Sequence, residues 1–241
     1  MACITPNKQR GYTLVEIAIV LVIIGLLLGS VLKGQELISS AQVRNLADQS
    51  SSIQAAYYGF VDRYRRNPGD MPASQACRDI GPEVPGCPGS DVGGDGNGFI
   101  NSFQEASALW AHLSASGFIQ GNYGGRATDP TTYMTPPNAP VNAFGGLLLL
   151  SHSGDYLPQD RSPTKLNLVL GRMIPVKIIR EFDAKLDEGM PTSGTVRATG
   201  ATTTFAGSIG QGDPGCVDLE ASPPIWNITG ESSDCNAVVL Y

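Results

Sequence analysis

Hydrophobic and polar positions along this chain fall into three regimes. A polar opening segment ends in Lys8-Gln9-Arg10 and is followed by Gly11 and Tyr12-Thr13-Leu14-Val15-Glu16, after which every position from Ile17 to Leu28 is apolar. Val31 and Leu32 end the run beyond Gly29 and Ser30, and Lys33 closes it. From Tyr12 to Leu32 the run matches the roughly 20 residues that a helix needs to cross a hydrocarbon core. Beyond Lys33 the period changes. Val43, Leu46, Ile53, Tyr57, Phe60 and Tyr64 recur at alternating spacings of three and four with Ser50 in one slot, while Arg44, Asp48, Gln49 and Asp62 occupy the other faces. That is the stripe of a half-solvated helix.

No proline interrupts the stretch from Tyr12 to Pro68. Arg63, Arg65 and Arg66 suit the negative end of a helix dipole, and Asn67-Pro68-Gly69-Asp70 stops the helix. The pattern predicts one helix from Thr13 to about Arg66, roughly 80 Å long at 1.5 Å per residue. Its first half, apolar all round, needs lipid or other subunits; its second half needs a cover from the rest of the chain. Gly25, Gly29 and Gly34 each weaken it locally by up to about 1 kcal/mol relative to alanine.

The third regime, residues 67–241, reads as a loop-rich head. A Pro/Gly-rich loop is expected from Asn67 to Gly98, then a helix from Ser102 to about Ser116 with Phe103, Ala106, Leu109, Trp110 and Leu113 on one face. Leu147–Leu150 reads as a buried strand or helix, Leu166–Leu170 as a strand, and Ile174–Lys185 as a helix with Ile178, Ile179, Phe182 and Leu186 on one face. Val196–Ala198, Thr202–Phe205 and Ala237–Leu240 read as further strands. The expected class is α+β: a long N-terminal helix packed against a small antiparallel sheet.

Lys8 and Arg10 ahead of the apolar run place the N-terminus in the cytoplasm and the head outside. Ser39-Ser40-Ala41 offers a rival, the cleavage site of a secretory signal peptide. Against it, the apolar stretch is long, and Lys33, Gln35 and Glu36 intervene before that site. Neither a signal peptide nor a plain signal anchor accounts for Glu16. A lone carboxylate at the start of a membrane span costs a few kcal/mol and needs a partner.

The residues Lys8-Gln9-Arg10-Gly11-Tyr12-Thr13-Leu14-Val15-Glu16 resemble the prepilin processing motif of type IV pilins and type II secretion pseudopilins. The resemblance implies a leader of residues 1–11, cleavage after Gly11 by a prepilin peptidase, and N-methylation of Tyr12, where the family more often has Phe or Met. It implies a helix over residues 12–66, with 12–32 as membrane span and filament core, and a head over 67–241. It further implies a structural filament subunit rather than an enzyme. Such a subunit waits in the bacterial inner membrane, meets an assembly platform, and joins a helical homo-oligomer in which Glu16 pairs with a neighbour's N-terminal amine. The finished filament lies in the periplasm or at the cell surface, as a pilus or as a secretion pseudopilus.

Composition narrows the alternatives. With 16% charged residues, a net charge of −6 and no basic block, the chain offers no footprint for nucleic acid. It has no GxSxG, no phosphate-binding glycine loop and no nucleophile, base and acid at usable spacing. Cys3 aside, the cysteines form two local sets, Cys77 with Cys87 and Cys216 with Cys235, which fits disulfides in an oxidising compartment better than a metal site.

One further stretch is rich in oxygen ligands. Asp95, Asn97, Gly98, Ile100 and Asn101 fall at calcium-loop spacing, but Gly93 stands where the first aspartate belongs and Gln104 where the closing glutamate belongs. Candidate calcium ligands are therefore Asp91, Asp95, Asn97, Phe99, Asn101 and Glu105, with Asp183 and Asp187 as a weaker second pair. The competing reading is a glycine-rich turn with Ser102 capping the next helix.

Overall fold

The computed structural model describes residues 13–158, 162–200 and 212–241. The chain divides into two compact units, Met1–Ala41 and Gln42–Tyr241. Helix α1, Leu14–Tyr64, contributes to both. From Ile17 to Leu28 it is apolar on every side. Ser30 donates to the Leu26 carbonyl at 2.8 Å, which satisfies its hydroxyl within the helix, and Lys33 pairs with Glu36 at 2.7 Å where the apolar run ends.

In the second unit α1 carries the expected stripe. Val43, Leu46, Ser50, Ile53, Tyr57 and Phe60 are buried, Ala56 joins them, and Tyr64 is half-buried. Ser50 occupies an apolar slot because its hydroxyl meets the Tyr241 hydroxyl at 3.1 Å and its carbonyl accepts from the same group at 3.0 Å. Tyr241 is thereby tied to the helix. The helix ends at Tyr64, and Arg65 takes a left-handed φ of 55°.

The head follows in chain order. Helix α2 spans Ala73–Asp79, α3 Phe103–Ala115 and α4 Pro130–Tyr133. Strands β1 Leu149–Ser153 and β2 Lys165–Val169 precede α5, Val176–Leu186. Then come β3 Val196–Ala198, β4 Val217–Asp218, β5 Ile225–Trp226 and β6 Ala237–Leu240. One antiparallel sheet has the order β1-β2-β6-β3, and β4 pairs with β5 in a small ribbon. Leu149 faces Val169, Leu168 faces Val239, and Val196 faces Val239 from the other side. Central β6 is buried at every position, as expected of a strand covered on both faces.

Helix α3 forms the middle of the core; Phe103 and Glu105 through Leu113 are all buried. Ser102 caps it in a reciprocal capping box with Glu105. At its other end Phe118 N–H donates to Leu113 and Gly117 N–H to Ser114, which closes the last carbonyls. Trp110 donates its indole N–H to Tyr133 at 2.8 Å, and Tyr133 passes its hydroxyl to the Leu148 carbonyl at 2.7 Å. This buried relay joins α3, α4 and the residue before β1.

The α+β expectation agrees with this architecture. The expected helix from Ser102 corresponds to α3, the element expected at Leu147–Leu150 is a strand that begins only at Leu149 and runs on to Ser153, and the strands near Leu166, Val196 and Ala237 are present. Leu186 departs from its predicted apolar face and is exposed. The loop expected from Asn67 to Gly98 contains α2, and β4–β5 was not anticipated. The strand expected at Thr202–Phe205 lies outside the described residues.

Two buried titratable groups sit in the head with opposite consequences. His112 is fully buried; its Nδ1 accepts from Gly69 N–H at 3.0 Å, and its Nε2 lies 3.2 Å from the Val92 carbonyl. Burial pulls its pKa down to about 4, only partly opposed by the Val92 contact. Asp183 on α5 accepts from the Trp226 indole at 2.7 Å and from Gly189 N–H at 3.3 Å. Burial pushes its carboxyl up to about 6 despite those bonds, with Asp187 and Glu188 adding to the rise.

The neutral histidine stabilises the fold above its unfolded pKa near 6.5, and that contribution is lost as the pH falls toward 4. The raised Asp183 works the other way, contributing below its unfolded pKa near 3.8 and losing that contribution as the pH rises through 6. Asp183→Asn keeps an acceptor for Trp226 and removes the opposing slope. Urea unfolding of this variant is expected to lose about 3 kcal/mol between pH 6.5 and 4, with the wild type losing less. Parallel pH profiles for the two proteins would contradict this assignment.

Candidate functional site

The first turn of α1 holds Glu16 in a specific arrangement. Its Oε2 accepts from the Thr13 N–H at 2.8 Å and from the Thr13 hydroxyl at 3.0 Å, while Glu16 N–H donates back to Thr13 Oγ1 at 3.3 Å. Thr13-Leu14-Val15-Glu16 is a capping box, with threonine at the cap and glutamate at the third helical position. The sequence pattern singled out Glu16 for its charge. The threonine three residues earlier is the partner that charge pattern alone does not reveal, although the T-x-x-E spacing carries it.

The carboxylate stands on a stretch of helix with no cover of its own. Every large apolar side chain from Leu14 to Leu32 is exposed in the single chain, and Ile24, the most covered of them, is still 46% exposed. The helix is long and apolar enough to cross a membrane. Apart from the adjoining residues and the helix's own backbone, nothing lies within 4 Å of where a Cβ would stand on Gly25, Gly29 or Gly34, so these glycines leave room for another helix to approach closely. Gly11 and Tyr12, the expected processing residues, lie outside the described residues, as does Cys3.

The four remaining cysteines are bonded as the spacing suggests. Cys77 joins Cys87 across 5.5 Å between Cα atoms, and Cys216 joins Cys235 across 5.7 Å. The first bridge pins α2 to the loop that follows it, and the second ties the residue just before β4 to the residues just before β6. In the chain-entropy view each contributes by shrinking the unfolded ensemble, roughly 3 kcal/mol for loops of this size.

The expected calcium residues separate into two groups. Asp91 is drawn off by Arg126, at 2.7 Å. Asn97 donates its side-chain amide to Asp95 Oδ2 at 2.9 Å, and its own oxygen accepts from Phe99 N–H at 2.7 Å. Asn101 donates its N–H to Glu105 Oε2 at 2.9 Å. Asp95 and Glu105 do come together, and the third carboxylate beside them is Asp70 rather than Asp91. Of the weaker pair, Asp183 is taken by Trp226 and Asp187 by the backbone at Thr195 and Val196.

Residues 6–32 match the prokaryotic N-terminal methylation motif. No curated protein and no solved structure gives a significant match to the chain. The matched segment holds the Thr13–Glu16 box and the apolar run; the head lies outside it.

Thr13→Ala removes the hydroxyl from the box and leaves the backbone donor in place. We expect it to loosen the first turn by about 1 kcal/mol. In detergent micelles this would appear as faster amide exchange near Val15–Ile17, with the helix beyond Leu21 unchanged. Equal exchange in the two proteins would show that the cap does not hold the helix start.

Proposed function

We infer that this chain, a type IV pilin-like or pseudopilin protein, is a structural subunit that is cleaved after Gly11 and assembles into a filament through α1. One observation supports this reading above the others. Glu16 is the single charged residue between Gly11 and Leu32, and it sits at the start of an apolar stretch of helix whose large side chains are all exposed in the single chain. A membrane anchor needs the apolar run, but the capping role of Glu16 could be filled by an uncharged glutamine without the cost of a carboxylate in the membrane.

Cleavage after Gly11 frees the amine of Tyr12, and methylation keeps its positive charge. Within a bundle of α1 helices that amine and the Glu16 of a neighbouring subunit neutralise one another, and burying the pair costs far less than burying either alone. Packing of the apolar surfaces then replaces lipid. On this reading the partners are further copies of the chain, a prepilin peptidase and an inner-membrane assembly platform. The subunit waits as a single-pass inner-membrane protein with its head outside. Pilus and pseudopilus, and major and minor subunit, use the same device.

Mass spectrometry of the purified protein is expected to find a mature chain beginning at Tyr12 and carrying one added methyl group. A chain beginning at Gln42 would refute the processing argument in favour of a secretory signal.

Glu16→Gln tests the pairing. Glutamine can accept the same Thr13 bonds, so the helix start is retained, but the charge is gone. Membrane insertion should be unchanged or slightly easier, while sheared-filament yield should fall at least tenfold at equal expression. A wild-type yield would sink the pairing mechanism and leave the cap as the residue's only role.

A further inference from the structure

We propose that Asp70, Asp95 and Glu105 hold a calcium ion where the loop after α2 folds back on the chain leaving α1. One carboxylate oxygen from each residue lies within 4.8 Å of one from each of the others. Calcium binds oxygen at about 2.3–2.6 Å, so ligands on opposite sides of one ion stand about 4.8 Å apart. The three groups are already close enough for a single ion to reach them all. Glu105 and Asp70 are buried, at 3% and 4% exposure, and Asp95 is exposed.

Asp70 supplies the independent sign of a ligand. Its Oδ2 accepts from Gly98 N–H at 3.1 Å, but its Oδ1 is buried with no hydrogen-bond partner. Leaving a carboxylate oxygen in that state costs a few kcal/mol unless something positive meets it. Among the described residues no lysine or arginine forms an ion pair with any of the three carboxylates. A cation beside Asp70 would satisfy the oxygen and offset the repulsion among three negative groups.

The backbone is built to bring them together. Gly94 N–H donates to the Met71 carbonyl at 3.2 Å and Gly96 N–H to the Asp70 carbonyl at 3.0 Å, so the loop is laced along residues 70–71. A Cβ on Gly94 would stand 2.7 Å from the Asp70 Cα and 2.8 Å from Glu105 Cγ. Only glycine allows this approach.

The donor set selects the metal. All three donors are hard carboxylate oxygens, and no imidazole or thiolate joins the group among the described residues, which disfavours zinc and other transition metals. Magnesium holds several waters in a strict octahedron, whereas calcium accepts an irregular cage completed by loop carbonyls and water. The exposed Asp95 leaves an entry path for the ion and room for that water.

The test uses the full chain in detergent micelles, stripped with chelator and titrated with calcium chloride. Calorimetry should find one calcium per chain, and at a hundredfold excess over Kd the melting temperature should rise by about 5–10 °C. Asp95→Asn is the informative variant, because residue 95 is exposed and the substitution keeps an acceptor for the Asn97 N–H. It should fold, melt close to the calcium-free wild type, and lose at least nine-tenths of the calcium-dependent shift. No heat and no shift in the wild type would overturn the proposal. So would an undiminished shift in Asp95→Asn, or an equal response to magnesium chloride.

Discussion

An apolar side chain exposed to water is tolerated singly, but a helix that exposes apolar side chains on every face has no stable existence in water. Each large aliphatic residue from Leu14 to Leu32 carries about 1.5–3 kcal/mol of transfer free energy that the single chain does not recover. The first unit of this protein is organised by that constraint. It explains why Ser30 turns its hydroxyl onto its own helix and why the first ion pair, Lys33 with Glu36, appears only after the run has ended. From Val43 onward the same helix buries only a stripe, and the cover comes from the head's own residues, Phe118 and Tyr241 among them.

The head in turn depends on how the chain leaves that helix. Gly69 has a φ of 85°, and a Cβ there would stand 2.2 Å from the Glu105 carbonyl oxygen. The turn is pressed directly against the first residues of α3. His112, two turns further along the same face of α3, accepts from Gly69 N–H and reaches the Val92 carbonyl with its other nitrogen. A single neutral imidazole thus bridges the exit from α1 and the loop that returns over it, which is why its burial has a pH consequence. A charged imidazole could not accept from Gly69 at all.

Much of this was legible in the chain because it rests on short-range pattern. The 51-residue helix followed from an unbroken absence of proline and a change of hydrophobic period, α3 from its spacing and Gly117, and β6 from a run of small and β-branched residues. What escaped was set by contacts distant in sequence. Helix α2 has no side-chain cap and is held by Cys77 to Cys87, so its short Ala-rich stretch reads as loop. The two-residue strands β4 and β5 carry no period to detect. Asp70 escaped because it lies 25 residues before Asp95, and calcium-loop spacing looks only within the loop. Asp91, which the spacing favoured, goes instead to Arg126, a partner 35 positions away.

The capping box bears on how selective assembly can be. In the single chain the Glu16 carboxylate is not bare; Thr13 already gives it two donors. On the filament reading, a neighbour's amine is an additional ligand to a charge already oriented by its own first turn. Association therefore gains only the difference between a hydrogen-bonded carboxylate at the membrane interface and an ion pair in an apolar bundle. A difference of that kind is small unless the geometry is good. A misaligned neighbour would bury the amine or the carboxylate without its partner, at a cost of several kcal/mol. On that reading the apolar surface supplies adhesion without direction, and one carboxylate held by Thr13 supplies the register.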